Sequence, residues 1–196
     1  MIANAAPRTP LLIIVSGPPA SGKSTLGKQI AAGLGVPYIS KDDLKEELYD
    51  SLGKIERALS GKLGEASMRL MYVVAKQILE SGNDVVIEAN FYRGVSEKDI
   101  SRIVAISDAM MMHCTAPDDV LKQRYAERSD AGERHPVHDD ANKVDDLETA
   151  LEEGNYEPLD LGIPLIQVDT TNDFSPSVAE ILGQIQEHRS LKPPSS

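Results

Sequence analysis

The chain has 196 residues and a formal net charge of −11 at pH 7, which suits one domain with a sizeable core and disfavours nucleic acid, since a polyanion would be repelled. Its one cysteine, Cys114, excludes an internal disulfide and is expected to be a buried, unreactive thiol. No apolar segment is long enough to span a membrane and no secretion signal is visible, so the expected location is cytoplasmic.

Apolar runs alternate with helical spacings along the chain, between an expected flexible arm (residues 1–10) and a loose tail (residues 191–196). This alternation predicts one α/β domain over residues 11–190, with a parallel sheet whose ligands bind beyond the carboxyl ends of the strands. The predicted strands cover residues 11–16, 36–40, 84–88, 109–114 and 163–169. The predicted helices begin near residues 23, 41, 62, 96, 117, 140 and 176 and end near residues 34, 52, 81, 108, 128, 153 and 189, with a linker at 53–60.

Two of these helices have a predicted inward face. In the helix that follows residue 40, Leu44, Leu48 and Leu52 are spaced to face the core. In the long helix over residues 62–81, the positions expected to face inward are Leu63, Ala66, Leu70, Val74 and Ile78.

The stretch over residues 17–25 reads G-x-x-x-x-G-K-S and lies between an apolar run and a helix, the context of a phosphate-binding loop. Gly17 and Gly22 let the backbone approach a ligand, and successive N–H groups form an anion nest at the helix N-terminus. Lys23 is expected to reach the β- and γ-phosphates, and Ser24 to ligate Mg²⁺. The predicted nucleotide-binding residues are Gly17, Pro18, Pro19, Ala20, Ser21, Gly22, Lys23, Ser24 and Thr25.

Asp42 follows the second predicted strand, where it can accept a proton from an attacking hydroxyl or orient that hydroxyl. Asp43 is the alternative base, and Ser40 or Asp42 can instead cap the next helix. Lys45 lies one helical turn from Asp42. It can hold an anionic acceptor or the phosphate, or lie in solvent as a surface lysine.

Glu88 ends the third predicted strand, and Asn90 lies in the loop that follows it. An acid at this position is like a Walker B acid and can reach Mg²⁺ through water. An ordinary exposed acid at the end of a strand is the alternative. Asn90 offers a donor and an acceptor to a substrate hydroxyl.

Arg124 and Arg128 are four residues apart and share a helix face. Two guanidinium groups aimed at one place suit a migrating phosphoryl group. Arg134 follows in a polar segment, and residues 124–142 are interpreted as a lid that excludes water. Surface pairing with acids such as Glu127 is the alternative.

His135 and His138 lie in the same polar segment. Their H-x-x-H spacing is a weak metal signal, because no cysteine or third histidine completes a closed set of ligands. Polar contacts within the lid or contact with the acceptor are expected instead.

These motifs, in this order, resemble the P-loop kinases of the polynucleotide-kinase-like group, which includes the predicted kinases called AAA domain 33. Chloramphenicol phosphotransferase and zeta-toxin kinases are more distant in this resemblance, which covers most of residues 11–183. It rests on the loop at 17–25, K-D-D-L-K at 41–45, V-V-I-E-A-N at 85–90, R-x-x-x-R at 124–128 and R-H-P at 134–136.

The resemblance implies a three-layer α/β/α fold, a five-stranded parallel sheet in the order 2-3-1-4-5 and a helical lid. It puts the catalytic aspartate at Asp42, and it puts Lys45, which lacks a bidentate fork, where the family has arginine. It also puts residues 169–172 near adenine. Together, the predicted catalytic residues are Lys23, Asp42, Arg124 and Arg128. The residues predicted to bind the nucleotide, in addition to the loop, are Arg124 and Thr171. The residues predicted to bind the substrate are Asp42, Lys45, Asn90 and Arg134. The predicted metal ligands are Ser24 and Glu88.

The leading hypothesis is a kinase that uses ATP and Mg²⁺ to phosphorylate a hydroxyl of a small molecule such as a sugar, nucleoside or antibiotic. The alternatives are a polynucleotide 5′-hydroxyl kinase, an inactive nucleotide-binding module, and a nucleotide-driven ATPase or switch. A GTPase switch would need D-x-x-G after the third strand. Residues 50–53 match that pattern but precede the strand, and residues 171–173 lack the spacing of N-K-x-D.

Overall fold

The computed structural model of the protein describes residues 8–53, 59–131, 135–138 and 144–191. The strands are β1 (Leu11–Ser16), β2 (Tyr38–Ser40), β3 (Val85–Glu88), β4 (Asp108–Thr115) and β5 (Leu165–Asp169). The helices are α1 (Lys23–Leu34), α2 (Lys41–Leu52), α3 (Ser60–Glu80), α4 (Glu97–Val104), α5 (Asp118–Asp130), α6 (Val144–Glu152) and α7 (Val178–Ser190), with a 3₁₀ turn at Pro136–His138.

The five strands form one parallel sheet in the order β2-β3-β1-β4-β5, which confirms the predicted fold. All six residues of β1 are buried, because the strand lies between β3 and β4 with helices on both faces. A continuous apolar run is the sequence pattern of such a central parallel strand. The predicted second strand is shortened to Tyr38–Ser40, although the carbonyl of Pro37 still accepts a hydrogen bond from Val86.

The core lies in two layers, one on each face of the sheet. On one face, alternate residues of β1 and β3 pack with Met71 and Leu79 of α3 and with Ile100 of α4. On the other face, the remaining strand residues pack with Leu26 of α1 and Ile181 of α7. This arrangement is the predicted three-layer α/β/α architecture.

The two ends of the described chain meet at one carboxylate. Arg8 and Arg189 each donate to Asp84 Oδ2, at 2.9 and 2.8 Å, and the N–H of Leu11 donates to Asp84 Oδ1 at 2.8 Å. Parts of the predicted arm, linker, lid and tail lie outside the described residues, at 1–7, 54–58, 132–134, 139–143 and 192–196.

The predicted inward face of α3 is correct for Leu63 and for Ile78, which packs against the core, and it is wrong for Ala66 and Leu70. Ala66 is exposed and Leu70 is 38% exposed, while Val74 and Ile78 are only partly buried. The helix is apolar around most of its circumference, so spacing alone does not select the buried stripe. The residues that α3 buries are Leu63, Ser67, Met71, Ala75 and Leu79.

The structure also corrects two other predictions, the burial of Leu52 in α2 and the end of α4. Leu52 is 66% exposed rather than inward, and the residue that α2 buries is Lys45. The helix expected to reach residue 108 ends at Val104, because the N–H of Asp108 donates to the carbonyl of Pro10 at 2.8 Å and so begins β4.

Replacing Met71 with alanine should destabilise the fold by about 2–5 kcal/mol, since it removes a fully buried side chain. Leu70→Ala is the matched control on the neighbouring, exposed position and should cost less than about 1 kcal/mol. Urea unfolding followed by circular dichroism measures both values. Equal losses, or a larger loss for Leu70→Ala, would contradict this orientation of α3.

Candidate active site

The phosphate loop connects β1 to α1 at the carboxyl edge of the sheet. Gly17 has φ +141° and Gly22 has φ +76°, conformations that favour glycine, and Ala20 also has a positive φ of +63°. A Cβ atom on Gly17 would lie 2.4 Å from the carbonyl oxygen of Cys114 in β4. The loop therefore sits directly against the neighbouring strand.

The ammonium group of Lys23 lies inside this loop. Lys23 Nζ donates to the carbonyl oxygen of Pro18 at 3.2 Å and lies 3.9 Å from Glu88 Oε1. Its side chain is 8% exposed. The positive charge is thus already located where the loop would receive phosphate oxygens.

Glu88 is a buried carboxylate that several hydroxyl groups approach. Its Oε2 accepts hydrogen bonds from Ser24 Oγ at 3.1 Å, Tyr38 OH at 3.0 Å and Ser40 Oγ at 3.1 Å. Burial, together with the charge of Glu88, raises the pKa of Tyr38 above its usual range, so the phenol remains a donor. Glu88 therefore joins β2, β3 and the start of α1, and it is not the exposed strand-end acid of the alternative interpretation.

Asp42 lies in the first turn of α2. Ser40 caps this helix by accepting hydrogen bonds from the N–H groups of Asp42 and Asp43, which leaves the Asp42 carboxylate available for other contacts. Lys41 Nζ pairs with Asp42 Oδ1 at 2.9 Å. Burial opposes ionisation, but the charges of Lys41, His138 and Lys23 outweigh it and hold the pKa of Asp42 well below its usual range.

Asp43 differs from Asp42 in its surroundings. It is exposed and does not line the cavity described next. Partial burial and the nearby charges of Glu46, Glu88 and Asp42 raise its pKa against the opposing effect of Lys28.

A cavity of about 710 Å³ lies beside the phosphate loop. It extends from Pro19 to Asp42 and is walled by α2, α3, the loop after β3, α4, α5, the 3₁₀ turn and α6. The polar residues of its lining that the sequence had suggested for substrate are Asp42, Lys45 and Asn90. Its aromatic lining is Tyr72, Tyr92, Tyr125 and Tyr156.

The chain matches the model of the family AAA_33, described as an AAA domain, over residues 12–153. It belongs to the AAA_33 family. The chain is similar to a crystal structure of a protein assigned as a kinase from Chloroflexus aurantiacus J-10-fl. The TM-score is 0.81 and the sequence identity is 36%, and the alignment covers 92% of this chain and 99% of that one. The resemblance to P-loop kinases is thereby confirmed.

Two other similarities are weaker, one because it covers only part of each chain and one because the sequence identity is low. Cytidylate kinase from Natronomonas pharaonis is 35% identical over 81 residues, which are 40% of this chain and 42% of that protein. The chain thus spans less than half the length of the curated relatives it matches. A sugar kinase structure from Janibacter sp. HTCC2649 has 14% identity, a TM-score of 0.61 and coverage of 94% and 96%, a likeness of fold alone.

Arg124 and Thr171, both predicted at the nucleotide site, are neighbours in the AAA_33 protein. The guanidinium of Arg124 donates to the carbonyl oxygens of Thr170 at 2.7 Å and Thr171 at 2.8 Å. The loop after β5 is therefore fixed to α5. Arg128 lies one turn further along α5 and is partly buried, and Arg134 lies outside the described residues.

The two histidines contact α2. His135 Nε2 and Asp50 Oδ1 are 3.0 Å apart, and His138 Nε2 and Glu46 Oε1 are 2.8 Å apart. His138 also lines the cavity. Each imidazole therefore faces a separate carboxylate of α2.

Sequence reasoning missed two groups of residues in the AAA_33 protein. Tyr38 and Ser40 alternate along β2 and share the face beside Glu88, a period-2 signal that could have identified them. The four cavity tyrosines come from α3, the loop after β3, α5 and the segment after α6. No local pattern joins these separate elements.

Replacing Gly17 with alanine should lower the melting temperature of the AAA_33 protein by roughly 4–8 °C or more, because a Cβ would collide with a backbone carbonyl that cannot rotate away. Gly82→Ala is the control, since Gly82 also has a positive φ, +82°, but no atom within 4 Å of its Cβ position. Calorimetry compares the two. A loss no larger than that of Gly82→Ala would argue against the close contact at Cys114.

In the part of the chain that the structure describes, no helix is both long and apolar enough to cross a membrane.

Proposed function

We propose that this protein is an ATP-dependent kinase that transfers the γ-phosphoryl group to a hydroxyl of a small acceptor. The observation that carries the proposal is the cavity of about 710 Å³ that extends from Pro19 of the phosphate loop to Asp42. A nucleotide switch needs the loop but no second binding space beside it. A cavity of this size suits a small organic molecule.

The donor half uses the loop and its surroundings. Backbone N–H groups of the loop and the N-terminus of α1 bind the phosphates, and Lys23 contributes the positive charge. Arg124 of α5 and Thr171 of the loop after β5, which contact each other, hold the nucleotide. Arg128, on the same helix as Arg124, contributes a second guanidinium to the phosphates in this proposal.

The residues near Glu88 also fit a magnesium ion. Ser24 supplies a hydroxyl oxygen, and Glu88 supplies a carboxylate within hydrogen-bond distance of it, and Mg²⁺ prefers such hard oxygen ligands. When bound, magnesium neutralises charge on the β- and γ-phosphates. Since Glu88 is buried beneath Ser24, it acts through that hydroxyl or through water.

The acceptor half centres on Asp42. The acceptor hydroxyl oxygen forms a bond to the γ-phosphorus, the bond from that phosphorus to the β–γ bridging oxygen breaks, and the hydroxyl proton passes to Asp42. The products are a phosphoester and ADP. Because Asp42 is held ionised, its main effect is to orient the hydroxyl, and Asn90, which lines the same cavity, aids this positioning.

A screen of hydroxyl compounds with ATP and Mg²⁺ tests the proposal directly. We expect ADP formation that depends on the acceptor, with a phosphoester detected by mass spectrometry. The reaction without acceptor is the control, because it measures hydrolysis of ATP by water. ATP hydrolysis that no acceptor accelerates would contradict a kinase and favour an ATPase.

A further inference from the structure

Two cations of the acceptor cavity are already paired with carboxylates of the same cavity. Lys41 Nζ lies 2.9 Å from Asp42 Oδ1, and Arg69 Nη2 lies 2.7 Å from Glu65 Oε1. All four residues line the cavity. An anionic ligand would have to compete with these carboxylates for the same positive charges.

Lys45, a further cation of the described lining, is directed into the cavity wall, and His138 of the lining faces Glu46 at 2.8 Å. Its ammonium donates to Ser60 Oγ at 2.9 Å and to the carbonyl of Val137 at 3.2 Å, and Ser60 Oγ donates to that same carbonyl at 2.9 Å. The residue is 5% exposed. These contacts of the ammonium join α2, α3 and the 3₁₀ turn.

Other residues of the described lining offer hydrogen-bond acceptors. Asp99 and Asp146 carry two further carboxylates, and Asp99 lies 3.7 Å from its surface partner Arg102. Asn90 Oδ1 is buried and accepts no hydrogen bond from the described residues. Buried acceptors are normally satisfied, so this oxygen is suited to a donor group of a ligand.

Four tyrosines supply the aromatic part of the lining. Tyr92 OH and Tyr156 OH are 3.1 Å apart, and burial raises the pKa of Tyr72 above its usual range, as do the nearby charges of Asp99 and Glu97. The Tyr72 phenol therefore stays protonated. Tyrosine rings pack against apolar faces of a ligand and attract cations.

We infer that the acceptor bound in this cavity is an uncharged or positively charged molecule that presents hydroxyl or amine donors, and that it carries no phosphate or carboxylate group. This inference rests on the proposed kinase function and specifies its acceptor. It assigns Lys45 to the cavity wall rather than to an anionic acceptor. It also separates this chain from any kinase whose acceptor is a nucleoside monophosphate.

Charge-matched probes test the inference. Glucosamine, glucose and gluconate share a six-carbon skeleton but carry positive, zero and negative charge, and cytidine differs from cytidine 5′-monophosphate by the phosphate. Binding of each probe is measured by calorimetry in the presence of a non-hydrolysable ATP analogue and Mg²⁺, and turnover is measured with ATP. We expect the uncharged or cationic member of a set to bind about tenfold more tightly than its anionic counterpart.

Removing the two distal carboxylates provides the second measurement. The variant Asp99→Asn with Asp146→Asn should reduce the preference for the uncharged or cationic member by about fivefold, since it removes two negative charges from the lining. Glu187→Gln, at an exposed position of α7, is the control and should leave the preference unchanged. Melting temperatures verify that each variant is folded.

The outcomes separate this inference from the proposed function. Failure of the uncharged and cationic probes to bind better than the anionic ones overturns the inference, whether or not phosphate is transferred. Transfer to gluconate or cytidine 5′-monophosphate in preference to their counterparts supports a kinase and overturns the inference. The expected binding preference without any phosphoryl transfer supports the inference about the cavity and contradicts the kinase.

Discussion

Replacing Lys23 with methionine is expected to weaken ATP binding by roughly a hundredfold or more and to abolish turnover. The ammonium is the cation that lies inside the phosphate loop, 3.2 Å from the Pro18 carbonyl. Methionine retains an unbranched apolar stem in this buried position, so the change removes mainly the charge and its hydrogen bonds. Calorimetric titration with a non-hydrolysable ATP analogue measures the loss.

Lys28→Met is the matched control for this prediction. Lys28 is an exposed lysine on the same helix, five residues further along, and its loss should change ATP affinity less than about threefold because surface charges contribute little. Circular dichroism verifies that both variants retain helix content. Retention of ATP affinity by folded Lys23→Met would remove the basis for a phosphate-binding role of this loop.

Replacing Asp42 with asparagine should leave ATP affinity nearly unchanged and reduce phosphoryl transfer by about 10²–10⁴-fold. Asparagine has almost the same shape but cannot accept the hydroxyl proton. It also leaves Lys41 without the carboxylate that now lies 2.9 Å away. The measurements are kcat with the best acceptor from the screen and the Kd for ATP.

Asp43→Asn distinguishes the two candidate bases. Asp43 is adjacent in sequence and belongs to the same helical turn, but it is exposed and outside the cavity lining. Its replacement should reduce kcat by no more than a few-fold. If Asp43→Asn abolishes transfer while Asp42→Asn retains it, the roles assigned to the two carboxylates are reversed.

Much of the sheet could be predicted because its strands have a simple sequence pattern. Residues 11–15 are all apolar, and such a run is typical of a strand buried on both faces of a parallel sheet. The loop at 17–25 then placed Lys23 and Ser24 at the carboxyl edge. Glu88 could be placed near them because β3 neighbours β1 in this fold.

The acceptor side could not be predicted in the same way, because it is built by helices whose orientation depends on tertiary packing. The buried stripe of α3 runs through Met71 rather than Leu70, and both residues are good apolar candidates in sequence. Lys45 is buried although lysine usually lies in solvent. Its partners Ser60 and Val137 are 15 and 92 residues away, so no local pattern reveals them.

The contacts of Lys23 also determine at which step its side chain loses conformational entropy. A lysine that is free to rotate loses about 1.5–2 kcal/mol of conformational entropy when it is fixed. Here two groups of the chain itself, the Pro18 carbonyl and Glu88, hold the ammonium in place. The loss of conformational entropy therefore occurs when the chain folds, and the ammonium is already ordered when a triphosphate binds.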